Sequence, residues 1–223
     1  MLEWWWKKAA LFDLDGVLVD SRAPVERQWQ RWSRDHGLDA NRVIHLAHGQ
    51  PTIDTVRQLA PQLDASSEAA IIESREIEDK DGLRAIAGAK ELLLKLPAQR
   101  WAIVTSGTRE LATARLEHVG LPLPPVMVPA DEVAQGKPHP EPYLTAAKHL
   151  GFAPVDCFVV EDSPSGIQAA RAAGIQVIAV TTTYEAAEVK QADIVVTSLQ
   201  HISIDYAVER EMMRISWQKS LVF

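Results

Sequence analysis

The fold of this sequence is decided by the stretch AALFDLDG at residues 9–16. A short continuous apolar run such as residues 9–12 is typical of a strand buried inside a parallel sheet. Asp13 and Asp15 follow it on one face, because residues i and i+2 of a strand point the same way. Gly16 then lets the chain turn without a Cβ that would obstruct a ligand. Two carboxylates this close repel each other and favour a divalent cation, although a simple acidic turn gives the same pattern.

Further apolar runs recur along the chain, and most of them lead into a helical pattern. The runs lie at residues 101–104, 157–160, 177–180 and 194–196. The helical patterns lie at residues 110–119, 141–150 and 164–173. Strands that alternate with helices of about 10 residues predict right-handed βαβ units. We therefore expect an α/β fold with a doubly wound parallel sheet.

The first connection, residues 14–100, is several times longer than one crossover requires. Helical patterns occur within it at residues 25–36, 51–60, 68–78 and 89–96. We predict that residues 18–85 form an inserted helical subdomain, while residues 1–17 and 86–223 form the catalytic core. The insert would lie over the carboxyl edge of the sheet, where open α/β sheets bind their ligands.

The two ends of the chain carry weaker patterns. Trp4-Trp5-Trp6 precedes two lysines. We favour a buried strand start or a start-site artefact over an interfacial anchor. At least one of the tryptophans should be partly exposed, because three adjacent residues cannot share one face. Residues 202–220 alternate without a clear period and fit a late hairpin or an extra edge strand.

Composition and charge exclude several classes of protein. With 47% apolar and 24% charged residues, the chain is an ordinary globular protein. Its net charge of −7 argues against binding to nucleic acid or anionic lipid. The single cysteine, Cys157, excludes a disulfide framework and suits a reducing cytoplasm. No apolar run approaches the roughly 20 residues that span a bilayer, so we expect no membrane association. We also expect the protein to be a cytoplasmic monomer.

A second acidic pair, Glu161-Asp162, follows the apolar run at residues 157–160. Ser163 then begins a helix as a favoured N-cap residue, but capping does not account for two adjacent carboxylates. Together with Asp13 and Asp15, the pair predicts four acids at one edge of the sheet. Such a set of oxygen ligands suits Mg²⁺.

Two further segments carry candidate anion-binding groups. Thr105-Ser106-Gly107-Thr108 ends the second strand, where hydroxyls and free amides form an anion site, or alternatively only a helix N-cap. Lys137 lies between a glycine and two prolines and supplies one positive charge, although lone loop lysines are usually just solvated. The sequence contains neither a GxxxxGK[ST] phosphate loop nor a GxGxxG motif, and its histidines include no HxxxH pair. Zinc-dependent hydrolysis is therefore disfavoured.

The order of these motifs resembles the haloacid dehalogenase (HAD) superfamily across residues 9–198. The matching segments are DLDGVLVDS at 13–21, IVTSG at 103–107, GKPHP at 136–140 and VVEDSPSG at 159–166. The insert at residues 18–85 looks like the helical C1 cap of that superfamily. Four segments look like the branch of glycerol-phosphate and 2-deoxyglucose-6-phosphate phosphatases. They are VIHLAHG at 43–49, WAIVTSGTR at 101–109, GKPHPEPYL at 136–144 and TTTY at 181–184.

The resemblance implies a Mg²⁺-dependent phosphatase that hydrolyses a small sugar or polyol phosphate. Asp13 would be the nucleophile and would form an aspartyl-phosphate. Asp15 would first protonate the leaving alkoxide and then deprotonate the attacking water. Thr105, with Ser106 and Gly107, would hold the phosphate oxygens.

The same resemblance implies a ligand set for the metal. Mg²⁺ would be held by Asp13, the Asp15 carbonyl and Asp162, with Glu161 behind these ligands. Lys137 would balance the charge around the nucleophile. A phosphate dianion can approach this cluster only if a cation and the lysine cancel the repulsion.

The insert is where substrate specificity is expected. His48, Gly49 and Arg57 occupy the stretch that resembles the superfamily's substrate loop. Gln50 and Pro51 stand where many relatives carry bulkier or basic residues, so the choice of sugar or polyol stays open. We expect Trp29 and Trp32, which lie on adjacent helical turns, to serve packing rather than sugar stacking.

Three alternative functions compete with a phosphatase. A phosphomutase of the β-phosphoglucomutase type would carry a histidine ten residues after the acid/base aspartate, where this sequence has Val25. A haloacid dehalogenase would lack an acid at the position of Asp15. A non-catalytic Mg²⁺- or phosphate-binding module would have lost a catalytic position, and every catalytic position is present.

Overall fold

The computed structural model of the 223-residue chain describes residues 4–47 and 49–218. The strands are β1 (Trp4–Lys7), β2 (Ala9–Phe12), β3 (Val19–Asp20), β4 (Arg84–Ala85), β5 (Trp101–Val104), β6 (Val126–Val128), β7 (Cys157–Glu161), β8 (Gln176–Val180), β9 (Ile194–Val196), β10 (Ile202–Ala207) and β11 (Met212–Trp217). The α-helices are α1 (Arg22–His36), α2 (Ala40–Ala47), α3 (Thr52–Leu59), α4 (Ala65–Glu78), α5 (Ala89–Leu94), α6 (Arg109–Val119), α7 (Glu141–Leu150) and α8 (Pro164–Ala172). No helix within these residues is long and apolar enough to cross a membrane.

The main sheet has six parallel strands in the order β6-β5-β2-β7-β8-β9. Alternate residues of β2 face opposite layers: Phe12 packs with the α5 and α6 side, and Leu11 with the α7 and α8 side. Helices thus cover both faces, which confirms the predicted doubly wound α/β fold. The strand order reverses direction at β2, so the crevice beyond its carboxyl end lies at a topological switch point.

The long connection between β2 and β5 contains helices α1 to α4 and a short antiparallel ribbon. In that ribbon, Val19 and Asp20 of β3 pair with Ala85 and Arg84 of β4. The four helices have a separate apolar cluster that includes Trp29, Trp32 and Ile72, all buried. The inserted segment is therefore helical, and its division from the core at residues 18 and 85 stays a prediction.

A second, antiparallel sheet joins the two ends of the described chain in the order β1-β11-β10. The hairpin expected after residue 202 is present as β10 and β11. Trp4 is 55% exposed, as expected for one of the three tryptophans, while the rings of Trp5 and Trp217 lie 4.8 Å apart. β1 is therefore a strand of this small sheet and not part of the main one.

Candidate active site

Asp13 stands at the carboxyl end of β2, where the ladder to β7 ends. Its amide donates to the carbonyl of Val160 at 3.0 Å, and the residue is buried. The chain then turns at Gly16, whose φ is +81°. A Cβ at Gly16 would lie 1.9 Å from Oδ2 of Asp162. Only a glycine therefore permits this turn to lie against the acidic pair that follows β7.

Glu161, the last residue of β7, is fully buried and has its hydrogen-bonding capacity filled. It accepts bonds from the amides of Asp162 and Ser163, each at 2.9 Å, and from the Tyr143 hydroxyl at 2.8 Å. Burial alone would raise the pKa of Glu161, but the charge of Lys137 and these bonds together lower it. Glu161 is therefore held as a carboxylate that orients its neighbours.

Lys137 links the two strand ends. Its Nζ lies 2.6 Å from Oδ1 of Asp13, 2.7 Å from Oε1 of Glu161 and 3.2 Å from the carbonyl oxygen of Val104. Burial would lower the pKa of Lys137, but the two carboxylates outweigh burial and raise it. The lysine is thus a permanent positive charge at the centre of the site.

Three buried acids, Asp13, Glu161 and Asp162, can each place one oxygen within 4.8 Å of the others. Burial raises the pKa of Asp13 to about 7 and that of Asp162 well above its usual range, with the neighbouring acids adding to the shift. One ammonium group, that of Lys137, does not neutralise three carboxylates. Hard oxygen ligands with excess negative charge are the donor set that suits a divalent cation.

The fourth predicted acid, Asp15, does not join that cluster through its carboxylate. Its Oδ1 accepts from Ser21 Oγ at 2.7 Å, and its Oδ2 lies 2.7 Å from Nη1 of Arg115. Three of the four predicted acids therefore group their carboxylates, while that of Asp15 is bound by Arg115 and Ser21. The expected role of the Asp15 carbonyl as a metal ligand stays a prediction.

Arg115 and its second partner, Glu76 of α4, were not identified from the sequence. Arg115 lies on the apolar face of α6 beside Leu111 and Leu116, and Glu76 follows Ile72 by four residues on the buried face of α4. Burial raises the pKa of Glu76 to about 7, despite the charge of Arg115. A charged residue on an apolar helical face was the available signal in both cases.

The turn after β5 places Ser106 and Gly107 at the same cavity as Asp13, whereas Thr105 is not among the described residues that line it. Thr105 is buried, and its Oγ1 accepts from the amide of Gly107 at 3.1 Å. Ser106 Oγ donates to the carbonyl of Gly49 at 3.2 Å, and Ser165 Oγ donates to the same carbonyl at 2.9 Å. Gly49 of the insert is thus fixed against two core turns.

A cavity of about 80 Å³ lies between the sheet edge and the insert. Its lining includes both acids of the first motif, Asp162, Ser106, Gly107, Gly49, Arg115 and Glu76. Val25 of α1 also lines the cavity, and Trp29 borders it while packing edge-on against Trp32. Both tryptophans are buried in the apolar cluster of the insert, as packing requires, and the choice between packing and sugar stacking stays a prediction.

Arg57 and His48 were also predicted to bind substrate. Arg57 is not among the described residues that line the cavity. It is exposed and pairs with Asp54 at 3.1 Å on the same helix. His48 lies outside the described residues.

Known proteins resemble this chain in sequence and in fold. The family described as haloacid dehalogenase-like hydrolase matches residues 10–180. The chain is 42% identical to hexitol phosphatase A of Escherichia coli (strain K12), over 88% of this chain and 94% of that protein. It is 37% identical to glycerol-1-phosphate phosphohydrolase 2 of Saccharomyces cerevisiae (strain ATCC 204508 / S288c), over 88% and 84%. A crystal structure of a hydrolase from Pseudomonas syringae superposes with a TM-score of 0.78 at 26% identity, covering 86% of this chain and 94% of that one.

The family match includes the predicted site residues of the core, since residues 10–180 contain Asp13, Thr105, Lys137 and the Glu161-Asp162 pair. The expected superfamily and branch are confirmed by these matches. The chain belongs to the haloacid dehalogenase-like hydrolase family.

Proposed function

We propose that this chain is a Mg²⁺-dependent phosphatase that hydrolyses a small sugar or polyol phosphate through an aspartyl-phosphate on Asp13. Its enzyme class is phosphoric monoester hydrolase, as it is for the relatives named above. The observation that carries the proposal is the buried pair of Asp13 and Lys137, whose Oδ1 and Nζ lie 2.6 Å apart, with Asp13 lining the cavity. A nucleophilic carboxylate next to a fixed cation is what attack on a phosphate dianion requires.

The reaction has two steps in which Asp13 and Asp15 share the work. In the first, a carboxylate oxygen of Asp13 bonds to phosphorus, and the bond from phosphorus to the leaving oxygen breaks. The proton of the Asp15 carboxyl group goes to that leaving oxygen. In the second step, a water oxygen bonds to phosphorus and gives a proton to Asp15. The acyl phosphate bond then breaks, which restores the Asp13 carboxylate and releases inorganic phosphate.

The turn at residues 105–107 is proposed to hold the transferred phosphoryl group. Thr105 would contribute its hydroxyl, while Ser106 and Gly107 would contribute groups at the cavity wall. Lys137 lowers the electrostatic repulsion between the phosphate and the buried acids. Transfer of this kind depends mainly on positioning and charge stabilisation.

Asp13 and Asp162 fit a divalent cation by donor chemistry, and we propose Mg²⁺ held by these two carboxylates and the Asp15 carbonyl. Glu161 would lie behind the ligands, because its oxygens are already bonded to Lys137, Tyr143 and two amides. Bound Mg²⁺ supplies positive charge against the phosphate oxygens as negative charge develops on them.

The substrate class rests on the relatives. One relative is named for hexitol phosphates and another for glycerol 1-phosphate, both phosphate esters of small polyols. A cap at residues 18–85 would exclude bulk water and contact the leaving group, with Gly49 at the wall and His48 and Arg57 nearby in sequence. Monomeric state, cytoplasmic location and lack of nucleic-acid binding stay predictions from composition.

Individual residues of this chain argue against each of the alternative functions. Val25 lines the cavity at the position where the phosphomutase alternative requires a histidine. Asp15 supplies the acid that the dehalogenase alternative lacks. All the proposed catalytic residues are present, which disfavours a purely binding role.

The test is phosphate release by Asp13→Asn, assayed with Mg²⁺ and p-nitrophenyl phosphate. We expect loss of turnover with an unchanged circular dichroism spectrum, and full turnover for the surface control Asp205→Asn. A second assay compares glycerol phosphates, hexitol phosphates, C5 and C6 sugar phosphates and nucleotides. Retained turnover in Asp13→Asn refutes the nucleophile, and a ranking led by nucleotides refutes the substrate class. Conversion of glucose 1-phosphate to glucose 6-phosphate faster than hydrolysis would favour the phosphomutase.

A further inference from the structure

Arg115 connects the loop after β2 with helix α4 of the insert. Its Nη1 lies 2.7 Å from Oδ2 of Asp15, and its Nη2 donates to Oε2 of Glu76. The side chains of Arg115 and Glu76 are 5% and 4% exposed, and all three residues line the cavity. The pair of contacts therefore joins the core to the insert at the site itself.

Packing of the buried face of α6 does not require a charged residue at position 115. Leu111, Ala112 and Leu116 form the rest of the buried face, and an apolar side chain at position 115 would fill the same space. A buried guanidinium is tolerated only when carboxylates satisfy it, and a paired set is often no more stabilising than apolar residues. The planar donor group of arginine does, however, fix the orientation of the carboxylates it binds.

Of the two carboxylates that Arg115 orients, the one proposed to transfer a proton is that of Asp15. It lies in the turn that Gly16 makes with φ +81°. Arg115 binds Oδ2, while Oδ1 accepts a hydrogen bond from the small hydroxyl of Ser21 at 2.7 Å. With Oδ2 held by the guanidinium, Oδ1 is the oxygen that would exchange a proton with a leaving group.

We propose that Arg115 is a positioning residue for proton transfer by Asp15, and that Glu76 of α4 holds Arg115 in the required orientation. This inference rests on the proposed phosphatase function. Because Glu76 belongs to the insert, the positioning of Asp15 is complete only when α4 lies against α6. In the affected step the bond from phosphorus to the leaving oxygen breaks, its electron pair stays on that oxygen, and the Asp15 proton neutralises it.

The dependence of the rate on the leaving group distinguishes a positioning role of Arg115 from a structural role and from binding of substrate hydroxyls. An alkoxide is a strong base and needs the proton, phenolate needs it less, and p-nitrophenolate leaves as a stable anion. The parameter to compare is kcat/KM, because it covers the steps up to loss of the leaving group and omits the shared hydrolysis of the aspartyl-phosphate. Phenyl phosphate has no hydroxyl groups on its leaving group, so a loss on it cannot come from hydroxyl recognition.

The experiment measures kcat/KM of the Mg²⁺-loaded enzyme on glycerol 1-phosphate, phenyl phosphate and p-nitrophenyl phosphate. For Arg115→Met we expect a loss of roughly 100-fold on glycerol 1-phosphate, an intermediate loss on phenyl phosphate and less than about fivefold on p-nitrophenyl phosphate. Glu76→Gln should show the same order with smaller losses. Arg115→Lys, which keeps the charge, should recover part of the activity on glycerol 1-phosphate.

Two further variants serve as controls for folding and for charge. Arg115→Met combined with Glu76→Met removes both buried charges of the pair, and it must give the same order of losses if the single variant does not fold. If neither folds, the order of losses in Arg115→Lys decides. Arg109→Met removes an exposed arginine from the same helix and should leave all three rates unchanged.

Equal losses on all three substrates would overturn the inference in favour of a structural tie. A loss confined to glycerol 1-phosphate would overturn it in favour of hydroxyl binding, and a gain would show that Arg115 restrains Asp15. Failure of the wild-type protein to hydrolyse any of the three substrates would instead refute the proposed function.

Discussion

The Nζ of Lys137 lies 2.6 Å from Oδ1 of Asp13, and both side chains are almost completely buried. Ion pairs on a surface are screened by water, but this one is buried, and its aspartate lines the cavity. The same ammonium group also holds Glu161, whose remaining hydrogen bonds orient the start of α8. One lysine therefore supports both the charge balance and the geometry of the site.

Replacement of Lys137 by methionine should therefore affect activity and stability together. We expect turnover to fall roughly 100-fold or more, because a fixed stabilising charge is lost. The free energy of unfolding should fall by about 3–5 kcal/mol, because Asp13 and Glu161 lose their buried partner. Turnover of p-nitrophenyl phosphate and urea unfolding measure the two effects. Lys148→Met on the exposed face of α7 is the control, and near-normal turnover in Lys137→Met would contradict the assigned role.

Gly16 offers a test of how closely the first motif packs against the acidic pair. Gly16→Ala introduces strain of about 1–3 kcal/mol at positive φ. Its Cβ would also press on Asp162 Oδ2. Gly120→Ala has the same kind of strain, at φ +67°, but no atom within 4 Å of its Cβ. We expect both variants to lose thermal stability, but only Gly16→Ala to lose turnover. Comparable turnover in the two variants would show that contact with Asp162 is unimportant.

The strands that end at the site residues could be predicted, because the apolar runs that mark these strands are local in sequence. Buried runs such as residues 101–104 become strands at the same positions, and a parallel sheet places their carboxyl ends at one edge. Strand β6 was not predicted, because it directly follows a proline-rich segment at residues 121–125 that is typical of a loop. Helix α2 was also not predicted.

The contacts made by Arg115 could not be predicted in the same way. Both α4 and α6 were expected as helices, but sequence periodicity does not say which two helices face each other. For this reason the contacts of the Asp15 carboxylate with Arg115 and Ser21 were not predicted. Pairing of β1 with β11 is missed for a similar reason, since it joins opposite ends of the chain.

Glu76 provides a prediction for the pH dependence of stability. Burial raises its pKa to about 7 from 4.5; Arg115 lowers it, and Asp15 and Glu73 raise it further. Between pH 4.5 and 7 the folded protein therefore binds more protons than the unfolded chain, so stability falls as the pH rises through this window. At about 1.36 kcal/mol per pKa unit, the loss is about 3 kcal/mol at most.

Glu76→Gln removes this titration and should flatten that part of the profile. The measurement is the free energy of urea unfolding at pH 5 and pH 8 for both proteins. We expect the wild type to lose stability relative to Glu76→Gln between the two values. A difference that is constant with pH, or that changes in the opposite direction, would mean that Glu76 is already ionised throughout.

Removal of the divalent cation is the remaining test, and it separates binding from turnover. Because Asp13 and Asp162 are buried beside each other with raised pKa values, a bound cation should stabilise the folded state. At a Mg²⁺ concentration of 100 times Kd the gain is about 2.7 kcal/mol, measured as a rise in Tm. A chelator should abolish both the rise and the hydrolysis, and added Mg²⁺ should restore them. Asp162→Asn should lose the Mg²⁺-dependent rise in Tm, whereas Asp205→Asn should keep it. Hydrolysis that persists in the chelator would refute the metal site, and a rise in Tm that persists in Asp162→Asn would move the cation away from this aspartate.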